Sequence, residues 1–152
     1  MLPDPPQPTP PFSVQRIDHV VLRVKDARAS LRFYCEALGC VVERKRDDLG
    51  LIHLRAGASM IDLVTLNGTL GKRGGPGAGS EGRNVDHVCL RIDPFDEVAI
   101  VEHLAAFGLE RLAPASLNFG AEGNGLSLYL RDPDGNVVEL KGPAVLPQDV
   151  GA

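Results

Sequence analysis

The 152-residue chain has little of several features that mark common protein classes. It has only three cysteines, an odd and sparse number that is typical of free thiols in a reducing compartment and argues against a disulfide framework. No window approaches the ~18 consecutive apolar residues of a membrane-spanning helix. The first residues also lack the basic segment and apolar stretch of a signal peptide. We therefore expect a cytoplasmic protein with no membrane partner.

Positive charge is also scarce. Sixteen Lys and Arg stand against twenty Asp and Glu, which gives a formal net charge of -4. A protein that binds nucleic acid needs a concentrated basic surface, so nucleic acid is not an expected partner. The shares of hydrophobic residues (43%) and charged residues (24%) are ordinary for a globular domain, and they predict a packed core.

Segments rich in proline or glycine divide the chain. Residues 1–15 contain six prolines and predict an extended or disordered arm. Residues 67–83 contain seven glycines and predict a flexible connector or mobile loop. A short tail follows at residues 143–152. Two candidate modules remain, at residues 16–66 and 84–142.

The two modules repeat each other in sequence. The segment RIDHVVLRV at residues 16–24 matches NVDHVCLRI at residues 84–92. Each match is followed by a helical pattern and then by strand-like runs. A single unit of this kind has a helix on only one face of its sheet, so two units must bury apolar surface together. We predict an α+β protein in which two βαβββ modules form a curved mixed sheet around a cavity.

The elements within each module have recognisable ends. Asp26 predicts the cap of a first helix, which Gly39 ends. The pair Asp93-Pro94 predicts the start of a second helix, which Gly108 ends. A turn over residues 132–135 has the Asp-Pro-Asp-Gly composition of a hairpin. The remaining strands are predicted at residues 40–44, 51–55 and 60–66 and at residues 109–112, 126–131 and 136–141.

Four residues that can bind metals occupy equivalent positions in the repeat. His19 and His87 lie in the first strand of each module, and Asp62 and Glu139 lie in the last. A carboxylate within an apolar strand is costly unless it is paired or bound to a metal. Each residue alone could have a packing or hydrogen-bonding role, but packing does not require acids at matched positions. The set predicts a site for a divalent metal such as nickel, zinc, manganese, cobalt or iron.

Four other residues are candidates for substrate binding. Arg23 and Arg91 share strand parity with the histidines, so either could bind an anionic group or simply lie at the surface. Asn118 and Tyr129 could hydrogen-bond a substrate or serve in a turn and in the core, respectively. The sequence leaves these alternatives open.

The sequence resembles the vicinal oxygen chelate superfamily, which includes glyoxalase I, bleomycin-binding proteins and extradiol dioxygenases. The resemblance covers about residues 16–142. It is strongest for the small glyoxalase-domain proteins and implies a glyoxalase-like fold. It rests on IDHVVL at residues 17–22, FY at residues 33–34, LG at residues 38–39 and LYLRDPDGNVVEL at residues 128–140.

The resemblance also implies roles for the four candidate ligands. His19, Asp62, His87 and Glu139 match the metal positions of the family, with an aspartate at position 62 where glyoxalase I has a glutamate. The implied activity is that of a metal-dependent lyase or isomerase of the glyoxalase I type. Such an enzyme acts on a small substrate with vicinal oxygens through a metal-stabilised enediolate. Glu139 is then expected to be the general base and Asp62 a ligand or second base.

Two alternatives from the same superfamily stay open. An extradiol-type dioxygenase would use His19, His87 and Glu139 to hold iron, although the acid at position 62 weighs against it. A non-catalytic small-molecule binding or resistance protein would not need all four polar positions. The family further implies a homodimer, in which modules meet within one chain or between two chains. The connector is long enough for either arrangement.

Overall fold

The computed structural model describes residues 10–146, which form two modules of the same design. The predicted arm at residues 1–15 and the tail at residues 143–152 lie largely outside this range, and residues 10–15 contain no helix or strand. The first module consists of β1 (His19–Val24), α1 (Ala27–Leu31, continued by a π-helix over Arg32–Ala37), β2 (Val41–Arg46), β3 (Leu51–Ala56) and β4 (Ser59–Thr65). The second consists of β5 (His87–Arg91), α2 (Glu97–Ala105), β6 (Ser116–Gly120), β7 (Gly123–Arg131) and β8 (Val137–Lys141).

Each module contains one four-stranded mixed sheet. The strand orders are β1-β4-β3-β2 and β5-β8-β7-β6. The first strand of each module pairs in parallel with the last, and the other pairs are antiparallel. The predicted α+β class and the duplicated βαβββ order are confirmed. None of the helices within residues 10–146 is long and apolar enough to cross a membrane.

The first helix begins and ends where the sequence predicts. The Asp26 side chain accepts hydrogen bonds from the backbone N–H groups of Arg28 and Ala29, at 2.9 and 3.2 Å. These groups have no partner within the helix, so the carboxylate satisfies them. Gly39 then adopts φ of +80°, which a residue with a side chain rarely tolerates.

Two predicted elements of the second module are wrong. The helix does not begin at Asp93-Pro94 but at Glu97, because Asp96 is the cap and accepts from the Ala99 N–H at 3.0 Å. The strand predicted at residues 109–112 lies instead at Ser116–Gly120. Leu109 packs against the core without strand pairing, so its apolar character reflects burial alone. The edge strand β6 is mostly exposed and therefore lacks the alternation that reveals a strand.

The two modules share one apolar core. Buried side chains from both sheets, from the helical segment after α1 and from α2 form a single cluster, so neither module buries its helix-side face independently. The other face of each sheet carries polar and apolar side chains together, such as Asp62 and Val64 on β4. The cluster consists of Leu22, Val24, Phe33, Tyr34, Cys40, Leu54, Ile61, Leu63, Leu104, Leu128, Leu130, Val138 and Leu140.

A buried aspartate in the β7–β8 turn joins the modules. The Tyr34 hydroxyl of the first module donates to Asp132 Oδ2 at 2.7 Å. Asp132 also accepts from the Asn136 side chain and from the backbone N–H groups of Asp134 and Asn136. Burial, together with the charge of Asp132, raises the pKa of Tyr34, so the phenol remains a donor. The turn thus has a structural role between modules as well as within its hairpin.

Replacing Asp132 with alanine is expected to lower the free energy of unfolding by about 3 kcal/mol, because several buried donors lose their acceptor. Tyr34→Phe is expected to cost about 1.5 kcal/mol, because it removes one hydrogen bond to a charged group. Urea denaturation of both variants measures these values. A change below about 0.5 kcal/mol for Asp132→Ala would contradict the role of the turn, since that is the size of an ordinary surface effect.

Candidate metal centre

Strand alternation places the candidate ligands on the face opposite the core. In β1, the buried Leu22 and Val24 alternate with His19, and in β4 the core residues Ile61 and Leu63 flank Asp62. The same holds in the second module, where Val138 and Leu140 flank Glu139 on β8. The four candidate ligands therefore lie on the sheet faces that do not pack against the shared core.

In the second module, a predicted histidine and a predicted carboxylate lie in contact. His87 Nε2 is 3.2 Å from Glu139 Oε2, and the Glu139 side chain is only 7% exposed. His87 Nδ1 is 2.7 Å from Asp86 Oδ1. A neutral imidazole that donates from Nδ1 carries a lone pair on Nε2, which would face the carboxylate. A proton or a cation between the two atoms removes this repulsion.

Two further side chains border Glu139. Cys89 lies opposite it on β5, and Tyr129 lies opposite it on β7 with its ring edge-on to His87 at 5.8 Å between centroids. Burial and the charge of Glu139 raise the pKa of Cys89 to about 11. The same two causes raise the pKa of Tyr129. Both groups are therefore protonated at neutral pH and can donate to the carboxylate.

In the first module, His19 is oriented as His87 is. His19 Nδ1 lies 2.7 Å from Asp18 Oδ1, and this hydrogen bond, with a smaller contribution from the charge of Asp62, raises the pKa of His19. A carboxylate on Nδ1 that leaves Nε2 free is the usual arrangement for a histidine that binds a metal. The His19 side chain is 48% exposed, so it remains accessible.

The nearest imidazole to Asp62 belongs to His53, which sequence reasoning did not assign to the site. His53 Nδ1 is 3.0 Å from Asp62 Oδ1, yet the two atoms are not aligned as a hydrogen bond. Asp62 Oδ1 is inaccessible to solvent and has no hydrogen-bond partner within the described part of the chain. A signal was present, because a two-residue hairpin loop at Gly57 sets the register that pairs positions 53 and 62.

These donors are of the type that a divalent metal needs. Imidazole and carboxylate groups suit zinc and similar ions, and the buried Asp62 oxygen without a partner is a place where a cation would remove a cost. Residues 10–146 nevertheless contain no group of three or more His, Cys, Asp or Glu placed around one point. One copy of the chain offers His87 with Glu139 on one sheet and Asp62 with nearby imidazoles on the other. The metal assignment stays a prediction.

Among the candidate substrate contacts, Arg23 holds the glycine-rich connector. Its guanidinium donates to the backbone carbonyls of Gly71, Gly74, Gly75 and Pro76 at 2.6–3.1 Å. The first two of these residues are the ends of a short 3-10 helix, Gly71–Gly74. A Cβ on Gly71 would lie 1.8 Å from the Thr65 carbonyl oxygen, so this close approach requires glycine.

Arg91 and Asn118 have partners on the hairpin of the second module. Arg91 Nε donates to Glu122 Oε2 at 2.6 Å. Asn118 Nδ2 donates to Ser127 Oγ at 2.7 Å. Of the four candidate substrate contacts, Tyr129 alone borders a candidate ligand, Glu139.

Loss of the Arg23 guanidinium is expected to release the connector. In Arg23→Gln, trypsin should cut after Lys72 or Arg73 about tenfold faster, because local opening no longer breaks several charged hydrogen bonds. Arg91→Gln is the matched control, since Arg91 contacts Glu122 in the β6–β7 hairpin and not the connector. This variant should leave the cleavage rate unchanged. Equal cleavage of the Arg23 variant and the wild type would show that these contacts do not order the connector.

Comparison with known proteins identifies the family. Residues 16–140 match the model of the Glyoxalase/Bleomycin resistance protein/Dioxygenase superfamily. The chain belongs to this superfamily. The resemblance seen in the sequence is thereby confirmed, as is the glyoxalase-like fold.

Several relatives of the superfamily are similar over most of the chain. Virulence protein STM3117 of Salmonella typhimurium is 33% identical over 129 residues, which cover 84% of this chain and 83% of that protein. Its crystal structure has a TM-score of 0.71, at 27% identity, covering 88% of this chain and 100% of the other. An integron cassette protein from V. cholerae has a TM-score of 0.68 at 26% identity, covering 88% and 98%. Lactoylglutathione lyase from Agrobacterium tumefaciens shares the fold, with a TM-score of 0.59 at 22% identity, covering 91% and 98%.

Proposed function

We propose that this protein is a metal-dependent lyase or isomerase of the glyoxalase I type. It would act on a small substrate with two adjacent oxygens and bind a divalent metal through His19, Asp62, His87 and Glu139. The observation that carries the proposal is the pair of buried carboxylates, Asp62 and Glu139. Each has an imidazole nitrogen 3.0–3.2 Å away, on the face of its sheet opposite the core. Superfamily membership supports the same class of chemistry.

The spacing within each pair supports metal binding. Two ligands on one ion at about 2.1 Å lie about 3.0–3.4 Å apart, depending on the angle between the bonds. The contact between His87 and Glu139 falls in this range, and so does that between His53 and Asp62. Direct pairing of a carboxylate with a protonated imidazole is the alternative use of these contacts.

Glu139 is the residue that we assign to proton transfer. A divalent metal, when bound, would act as a Lewis acid that polarises the substrate oxygens and weakens the adjacent C–H bond. The Glu139 carboxylate would take this proton from one carbon and return it to the neighbouring carbon. Cys89 and Tyr129, both held protonated, can donate to Glu139 and hold its side chain toward the substrate. The side chains of His19 and His87 are 48% and 38% exposed, which leaves a path for the substrate.

We further propose that a second copy of the chain completes the site. Within residues 10–146, one copy does not gather three ligands at one point, so the halves must be joined by another copy or by movement of the modules. The hairpin of β6 and β7 exposes Leu117, Phe119 and Leu126, with Phe119 83% exposed. An exposed apolar surface of this kind, on a hairpin at the edge of the sheet, is suited to contact with another protein surface.

The proposed function is tested by metal analysis and a substrate assay on the full chain. Protein purified without chelators from medium supplemented with nickel, zinc, manganese, cobalt and iron is expected to hold a stoichiometric divalent metal. It should isomerise the hemithioacetal of methylglyoxal and glutathione, and a chelator should abolish turnover. Absence of bound metal would overturn the proposal. Oxygen uptake with catechols, without isomerase activity, would support the dioxygenase alternative instead.

A further inference from the structure

We propose that His53 is a ligand of the metal, together with Asp62, in the first module. This inference rests on the proposed function, because it assumes that a metal binds at the candidate centre. It goes further in assigning a residue outside the matched set of two histidines and two carboxylates. The basis is geometric: His53, and not His19, is the imidazole within 4.0 Å of the Asp62 carboxylate in the described residues.

The His53–Asp62 contact has the distance of a hydrogen bond but not its alignment. His53 Nδ1 and Asp62 Oδ1 are 3.0 Å apart, and the oxygen, although fully buried, accepts no hydrogen bond from any described residue. Two ligand atoms on one ion need the right separation but no alignment with each other, because each points its lone pair at the ion. The 3.0 Å separation matches ligand bonds of about 2.1 Å at roughly a right angle. The contact between His87 and Glu139, at 3.2 Å, is of the same kind.

Strand register explains why His53 is available to Asp62. It lies directly across from Asp62 on β3, and the equivalent residue opposite Glu139 on β7 is Tyr129. The first module therefore has an imidazole where the second has a phenol. Asp62 is also one methylene shorter than Glu139, so its oxygens extend less far from the strand. A donor on the adjacent strand compensates for the shorter carboxylate.

The extra imidazole has a consequence for the choice of metal. A site with His53 added to His19 and His87 is rich in nitrogen donors, and such donors favour zinc, nickel and cobalt over manganese. The His53 side chain is 23% exposed, so it is neither locked in the core nor fully solvated. It is not part of the core cluster, so coordination to an ion would not remove it from the core.

The test measures metal binding by the full chain without any substrate. Co²⁺ and Zn²⁺ affinities are measured by competition with a chromophoric chelator, and the visible absorption of bound Co²⁺ reports its ligands. His53→Ala is expected to weaken both affinities about 100-fold or more, at or beyond the effect of losing a residue that only orients a ligand. The Co²⁺ spectrum should also change. His103→Gln is the matched control, because His103 lies on α2 and its Nε2 is 2.8 Å from the Ala37 carbonyl oxygen. The metal affinities of this variant should equal those of the wild type.

His53→Asn separates binding of the metal from support of Asp62. An asparagine amide can still hydrogen-bond Asp62 from about the position of Nδ1, but it is a poor ligand for these metals. Loss of affinity in both His53 variants, with folding verified by circular dichroism, supports the inference. Wild-type affinity and an unchanged Co²⁺ spectrum in His53→Asn overturn it. If the wild type binds neither Co²⁺ nor Zn²⁺, both the proposed function and the role of His53 fail. This outcome differs from one in which the wild type binds metal and His53→Asn binds it equally well, which overturns the role of His53 alone.

Discussion

Glu139→Gln is expected to reduce turnover by about 10²–10⁴-fold, the usual contribution of a general acid or base. Glutamine has nearly the same shape but can neither accept the substrate proton nor supply a negative charge to a metal. The Glu139 side chain is almost fully buried and lies 3.2 Å from His87 Nε2. The measurement is the steady-state rate of hemithioacetal isomerisation at saturating metal.

The thermal midpoint provides an independent readout for the same variant. A metal that binds only the native state raises the midpoint of thermal unfolding of the wild type, by an amount that grows with the logarithm of its affinity, and Glu139→Gln should lose most of this shift. The metal-free variant should remain folded, since the amide fills the same volume. Glu110→Gln, an exposed acid away from the site, is the control and should keep both the rate and the shift. Wild-type turnover in Glu139→Gln would show that Glu139 is not the base.

Sequence reasoning succeeded where a local pattern fixes a local structure. The cap at Asp26 and the left-handed Gly39 satisfy requirements of one helix, and the 132–135 turn satisfies those of one hairpin. The placement of β6 failed because an exposed edge strand has no buried side chains to impose a period of two. The prediction for the start of α2 failed because the side chain that accepts a hydrogen bond from the first turn is that of Asp96, three residues after Asp93.

The candidate site could be predicted only as a list of residues. Equivalence within the repeat identified His19, Asp62, His87 and Glu139, because acids at matched strand positions need a reason beyond packing. It could not show that Asp62 contacts His53, since that contact depends on cross-strand register. Nor could it show that Arg23 holds the connector, because the glycine carbonyls it contacts lie about fifty residues away.

Mixing two inactive variants is expected to restore about a quarter of wild-type activity if the centre forms between two copies. One variant is Asp62→Asn, with a lesion in the first module, and the other is Glu139→Gln, with a lesion in the second. In a mixed dimer, one centre receives both lesions and the other receives neither. Half of the randomly assembled dimers are mixed, and each then has one intact centre out of two. The two variants are co-expressed, and activity is measured on the whole population of dimers without selection for the mixed ones.

The control pair combines His87→Ala with Glu139→Gln, both in the second module. Every centre in every dimer of this pair contains a lesion, so activity should stay at background. If the modules of one chain instead form the centre together, the cross-module pair would also stay inactive, because each chain keeps its own lesion. If activity is restored only in the cross-module pair, the effect cannot come from dimerisation or stabilisation in general. It would mean that the sheets of two chains face one another across a single metal.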